Sequence, residues 1–168
     1  NAEYDELARI SLGILGIESE FCLNNKYLIK ETPGVQSVIT GVKDVTNANS
    51  TGGNSRGCTQ IKEIHRFLPP GVKITQNQLK DPSKSAEATM YVLADLLKEL
   101  KGKKAAGKID PEIKFPNSIT GETNISDYIY YMYNGQHGQL TQGTATPSDS
   151  ARIKRVKKYM SYFTIGPR

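Results

Sequence analysis

The residue types best suited to chemistry gather near the end of the first amphipathic pattern, in Gly16-Ile17-Glu18-Ser19-Glu20-Phe21. Leu7, Ile10, Ile14, Ile17 and Phe21 recur in steps of three and four, which marks one buried face of a helix. At about 100° per residue, Glu18 projects close to Leu7 and Ile14, inside that stripe, while Glu20 points roughly a quarter-turn or more away. A carboxyl on an apolar face is costly to bury ionised and tends to keep its proton. A carboxyl still protonated near neutral pH can donate to a departing sugar oxygen, the acid step of glycoside cleavage. Read alone, the segment fits better with Glu18 at the solvated edge of the stripe.

Other candidates are fewer. Tyr130-Tyr131-Met132-Tyr133-Asn134-Gly135 is dense in tyrosine. Such residues pack a core or its rim, or line a saccharide groove, where a ring stacks on the sugar's C–H face while its hydroxyl hydrogen-bonds. The polar loop from Asn47 to Gly57 has the glycines of a phosphate cradle but lacks the Gly-Lys-Ser/Thr ending of a P-loop. His137 lies in a second polar loop, Gln136 to Ser148, and reads as a surface residue. With two histidines and two cysteines at no paired ligand spacing, neither a metal nor a cofactor is expected. Cys22 and Cys58 flank the segments of greatest functional interest. Two structural thiols is the reading taken for them, with a disulfide as the alternative.

The elements that must hold these groups are mostly helical. The first helix is expected from residue 4 to about 24, ending near Asn24-Asn25. From Tyr27 to Val45 short β-favouring pieces such as Val35 to Ile39 are broken by Pro33-Gly34 and Gly41, which predicts extended loop or a small β-hairpin. An ordered stretch from Cys58 to Phe67 is ended by Pro69-Pro70-Gly71. Asp81 as N-cap and Pro82 at the first position open a helix with apolar Ala86, Met90, Leu93, Leu97 and Leu100. Lys101 to Lys108 reads as a solvated basic connector. Thr123 caps a helix carrying Ile125, Tyr128, Ile129 and Met132, which Gly135 can stop. A last helix begins near Pro147-Ser148 and buries Ile153, Val156, Tyr159, Met160 and Phe163. Its other face, with Arg152, Lys154, Arg155, Lys157 and Lys158, is solvated unless it meets a polyanion.

At 168 residues the chain suits one domain with a real core, or one domain and a tail. Its 37% hydrophobic and 23% charged content exclude a disordered polymer, and its apolar runs are too short to cross a bilayer. The opening Asn1-Ala2-Glu3-Tyr4 has neither an initiator Met nor the basic start and apolar core of a secretory signal. A processed protein, or a domain cut from a longer one, is expected to look this way. The net charge of +5 favours nucleic acid, anionic membrane or anionic cell wall as partner without choosing among them. No zinc-finger, recognition-helix or RNP pattern accompanies the charge, so nucleic acid is not expected.

Four segments, in this order, resemble the family of soluble lytic transglycosylases and goose-type lysozymes. Ile17-Glu18-Ser19-Glu20-Phe21 is similar to the family's Glu-Ser-Gly-Phe segment at a helix end, and Ser55-Arg56-Gly57-Cys58-Thr59-Gln60-Ile61 to its segment ending Gly-Leu-Met-Gln. Asp81-Pro82 with Met90-Tyr91-Val92-Leu93 resembles its Asp-Pro segment and amphipathic helix. Tyr133-Asn134-Gly135 resembles its Ala-Tyr-Asn-x-Gly block, and the closing helix with Val156 and Tyr159 its usual tail. Together these segments cover most of residues 7 to 163. Three departures stand out: Glu20 where the family often has Gly, Cys58-Thr59 for Leu-Met, and Met132 for the Ala before Tyr-Asn. The stretch between Glu18 and Gln60 also looks longer than usual, which predicts an insertion within residues 26 to 54.

The resemblance implies an α+β, mainly α-helical, lysozyme-like single domain over residues 1–168, with a small β-hairpin or irregular region after the first helix. It implies cleavage of the β-1,4 bond between N-acetylmuramic acid and N-acetylglucosamine in peptidoglycan, with Glu18 as general acid and then general base. Ser55, Gln60, Tyr133 and Asn134 would line the groove for the glycan strand. Goose-type lysozymes, which hydrolyse, carry an acid just before the Gly-Gln segment; here Ser50 to Ser55 has none, and Asp44 is the nearest reserve. The non-hydrolytic reaction, closing a 1,6-anhydro ring, is therefore the expectation. The alternatives are a hydrolytic lysozyme, or a lysozyme-like structural or binding module of a phage tail or secretion assembly. An extracytoplasmic setting follows from such a substrate, whether periplasmic, secreted or virion-borne.

Overall fold

The computed structural model describes residues 2–23, 57–61, 64–75, 77–109, 112–117, 119–120, 122–134 and 151–163. Among them are four α-helices: α1 (Ala2–Ser19), α2 (Pro82–Ala105), α3 (Ile125–Tyr133) and α4 (Ala151–Met160). Two 3₁₀ turns, Ile64–Arg66 and Gln78–Lys80, precede α2. The protein is mainly helical, and the described residues hold no strand beyond a single bridge residue, Ile61. The β-hairpin expected after the first helix, and the insertion expected within residues 26 to 54, lie outside the described residues. No helix among the described residues is long and apolar enough to cross a membrane.

The chain divides into two compact units. One is Ile14–Tyr91; the other joins Asn1–Gly13 to Val92–Arg168. In the second unit, α3 is buried along nearly its whole length, with Ile125, Ile129 and Met132 at 1% exposure or less. It lies against α4, which buries Ile153, Val156 and Met160. Polar bonds fix that pairing at both ends: Arg152 Nε donates to the Tyr130 hydroxyl at 2.8 Å, and Lys157 Nζ meets Asp127 Oδ1 at 2.7 Å. Tyr159 and Phe163, expected inside, are half-buried, and Phe163 lies beyond the end of the helix. At Gly13, α1 lies close against α4: a Cβ there would stand 2.7 Å from Met160 Cγ and 3.1 Å from the Val156 carbonyl oxygen. Only a residue without a side chain fits that gap.

The expected start of α2 is observed. Asp81 Oδ1 accepts from the Lys84 amide at 2.8 Å, and Pro82 takes the first position, where its missing N–H costs nothing. The far end differs from expectation. The helix runs on through Lys101, Gly102, Lys103 and Lys104, which were expected in a solvated connector. Lys101 pairs with Glu3, Lys104 Nζ donates to the Ile113 carbonyl, and both ammonium groups lie within 5.7 Å of the Phe115 ring centre. The stop comes at Gly107 (φ +65), whose amide bonds to Lys104 O while Lys108 bonds to Lys103 O, the two bonds of a Schellman cap. The α2 stripe is also rotated in its first half. Ser85, Ala88 and Thr89 are buried, and Ala86 and Met90 are only half-buried.

The residue that begins α3 has its side chain engaged elsewhere. Asn124 accepts from the Lys114 amide at 2.6 Å and donates to the Glu112 carbonyl at 3.1 Å, so it clamps the preceding segment. Thr123, the expected cap, accepts from the Ile125 amide at 3.3 Å. Helix α3 ends at Tyr133 with Asn134 as its C-cap; Gly135, the expected stop, is outside the described residues, as are Pro147, Ser148 and His137.

Candidate functional site

Glu18 occupies the last turn of α1 and is half-buried, between the two environments its sequence pattern allowed. Its surroundings follow from how that helix stops. The expected run to residue 24 is cut short at Ser19. Three successive residues then adopt left-handed backbone: Glu20 (φ 49), Phe21 (φ 59) and Cys22 (φ 70). None is glycine, and each such residue costs about 1–2 kcal/mol relative to the right-handed region. The turn must therefore be held by something outside the local backbone.

Several bonds hold it. The Glu20 amide closes onto the Gly16 carbonyl at 2.9 Å, a left-handed helix cap, and the Phe21 amide reaches Leu15 O at 3.2 Å. Ser19, fully buried, donates from Oγ to Leu15 O at 3.2 Å and accepts from the Cys22 amide at 2.9 Å. Leu15 and Cys58 are buried together, with Phe21 and Cys22 packed on them. Finally, Cys22 and Cys58 are joined as a disulfide, Cα to Cα 5.0 Å. This overturns the reading of two structural thiols: the left-handed turn carries Cys22 back to Cys58, which helical continuation would not do.

Cys58 sits in a tight, well-anchored turn. Its amide donates to Leu79 O at 3.1 Å. A Cβ on the preceding Gly57 (φ +76) would stand 2.5 Å from both Cβ and O of Leu79, so glycine is obligatory at that approach. Gln60 also takes left-handed backbone (φ 57), and both its amide and its side-chain Nε2 donate to the Gly57 carbonyl, at 3.0 and 2.7 Å. Leu79 is presented by a reciprocal pair in the manner of a capping box: the Thr75 amide donates to Gln78 Oε1 at 2.9 Å, and the Gln78 amide to Thr75 Oγ1 at 3.3 Å.

Sequence reasoning missed a buried hydroxyl cluster beside this turn. The Thr59 amide donates to Ser85 Oγ at 3.1 Å, Thr59 Oγ1 lies 2.9 Å from both Ser85 Oγ and Thr89 Oγ1, and Thr89 Oγ1 donates to Ser85 O at 2.8 Å. Three hydroxyl protons serve three hydroxyl contacts, so the group is satisfied without water. The available signal was Ser85 and Thr89 four apart on the face that α2 buries.

The unit Ile14–Tyr91 thus brings the Glu18 helix end and the Gln60 turn together through Cys22 and Cys58. Tyr133 and Asn134 belong to the other unit, where Tyr133 is half-buried and Asn134 exposed, its Nδ2 donating to Tyr130 O at 3.1 Å. Ser55 and Asp44 lie outside the described residues. Among the described residues, no three of His, Cys, Asp and Glu gather as a metal site. A carboxyl with a raised pKa occurs at the opposite end of α1, in Glu6: burial pushes it up, Arg9 and Lys157 pull it down, and Asp127 adds to the rise. In comparisons with known proteins, no family model, no curated protein and no solved structure matches the chain.

Proposed function

We propose that the protein cleaves the β-1,4 bond between N-acetylmuramic acid and N-acetylglucosamine in peptidoglycan as a lytic transglycosylase with a lysozyme-like fold. Glu18 gives its proton to the leaving O4 as the C1–O4 bond breaks. The resulting carboxylate then takes the proton of the muramic acid C6 hydroxyl as that oxygen bonds to C1. Atoms balance without water, and no second carboxylate is required; the usual glycosidase needs two.

One observation carries the reading. The segments resembling the family's catalytic Glu and its Gly-Leu-Met-Gln block are 36 residues apart at their cysteines, yet they are bonded to each other. The departures from the family pattern support it as well. Glu20 takes a left-handed position, where a family Gly would be favoured; Cys58 carries the tie; and Thr59 replaces an apolar contact with a satisfied hydroxyl cluster. Gln60 would receive substrate by releasing the amide donor now turned onto Gly57 O. Ser55, Tyr133 and Asn134 are the further groove residues that the resemblance implies. A disulfide suits an oxidising, extracytoplasmic setting.

The test is release of soluble muropeptides from purified peptidoglycan, read by mass spectrometry. The protein should yield anhydro products, each lighter by one water than its hydrolysed counterpart. Glu18→Gln should lower the rate by about 10²–10⁴-fold, the usual worth of acid–base help. Hydrolysed products dependent on Glu18 would make the protein a lysozyme and direct attention to Asp44. No release from several wall types would leave a structural or binding module.

A further inference from the structure

We propose that Cys22 and Cys58 are positioning residues for catalysis: their disulfide holds the Glu18 helix end against the anchored Gln60 turn. This rests on the function proposed above, with Glu18 as the acid. The two ends of the bond are unequal. Cys58 is fully buried, its amide is bonded to Leu79 O, and Gly57 before it is pressed onto Leu79. Cys22 is half-buried and follows two other residues in left-handed backbone, a conformation none of the three favours. The anchor is therefore Cys58, and the turn from Ser19 to Cys22 hangs on it.

Glu18 lies four residues before Cys22 and immediately before Ser19, whose hydroxyl accepts the Cys22 amide. Without the bond, left-handed residues 20 to 22 relax toward ordinary backbone, the Ser19 to Cys22 bond is lost, and the last turn of α1 changes direction. The carboxyl moves with it. Misplacement of a reacting group by about 1 Å can lower a rate by about 10²-fold.

The experiment compares the oxidised full chain with the Cys22→Ala, Cys58→Ala double variant on soluble glycan strands, with circular dichroism confirming a folded variant at the assay temperature. The expected result is kcat lower by about 10–100-fold with KM within about twofold. Should the double variant not fold, the wild-type protein under mild reductant, held below its melting point and then reoxidised, gives the same comparison; kcat should fall and return. Unchanged kcat, or a rise in KM alone, overturns the proposal and leaves the enzymatic reading standing. Two free thiols in the intact mass of the purified protein also overturn it. A wild-type protein that releases nothing from any wall overturns the enzymatic reading and this inference with it.

Discussion

The two compact units are held together by different physics. In the unit containing α3 and α4, stability comes from aliphatic side chains on regular helices, with the Lys157–Asp127 ion pair and the Arg152 to Tyr130 hydrogen bond at the margins. In the unit Ile14–Tyr91, turns and short 3₁₀ pieces lie between the helix ends, and the connections are a disulfide, a hydroxyl cluster and left-handed backbone. The first kind of packing is non-directional, its strength the sum of many small contacts. The second is directional, and each bond depends on its neighbours' geometry. The candidate acid lies in the second kind. Chemistry that needs one carboxyl in one direction is better served by directional bonds than by non-directional packing.

Core truncation should give the largest change in stability and should ignore the disulfide. Ile129→Ala, at a fully buried α3 position, is expected to lower stability by about 2–5 kcal/mol. Urea denaturation should return the same loss for oxidised and reduced protein, since independent sites add. A loss that shrinks on reduction would show the two regions to be coupled and erase the contrast.

Thr59→Val should cost less, about 1–3 kcal/mol, by taking from Ser85 Oγ and Thr89 Oγ1 the buried hydroxyl that both contact. Combining it with Thr89→Val should cost less than the two single losses summed, because the two hydroxyls share one contact, while Ser85 stays to accept the Thr59 amide. Simple additivity in thermal melts would mean the hydroxyls act singly.

The charged margin of the helical unit supplies a pH signature. Glu6 is buried with Arg9 at 3.6 Å, and its pKa is raised from 4.5, so the folded state holds that proton more tightly than the unfolded. Its contribution to stability is therefore complete below pH 4.5 and is lost as pH rises through the higher folded value. In Glu6→Gln, melting points measured across this window should fall less with rising pH than in the parent protein. An equal fall in both would assign the dependence to other groups.

The smallest effect is expected at Glu20. Glycine there should raise stability by about 0.5–1 kcal/mol, since it adopts φ 49 without the strain of a side chain. A decrease in the melting temperature would show that contacts of the Glu20 side chain outweigh its backbone cost.

Helical periodicity made much of this fold legible. Ile125, Ile129 and Met132 read correctly as one buried face, as did Ile153, Val156 and Met160, because in those helices the local pattern and the tertiary burial agree. Asp81-Pro82 was legible for the same reason: cap and first-turn chemistry is local. The end of α1 was not. No proline or glycine directly follows Ser19, and the turn that ends the helix is tied to a residue 36 positions beyond Cys22. The length of α2 was misread because Gly102 and the lysines argue locally for a loop, while Glu3, Ile113 and Phe115 supply their partners from elsewhere in the chain. At the candidate site, Glu18 and Gln60 were found by residue type and order; that their segments are covalently joined was not readable from either one.

The close contact at Gly13 has a consequence for how the protein is made. The helical unit is assembled from both ends of the chain, and its last helix leaves the ribosome well over a hundred residues after Gly13. At about 5–20 residues per second that delay is roughly 7–30 s. During that interval the helix around Gly13 lacks the Met160 and Val156 that α4 will bring, whereas Ile14–Tyr91 is complete as one continuous stretch. Synthesis therefore favours the disulfide-bearing unit forming first. The opening turns of α1 then wait as a sticky, unclosed seam, a natural client for a holdase, until the final helix closes it.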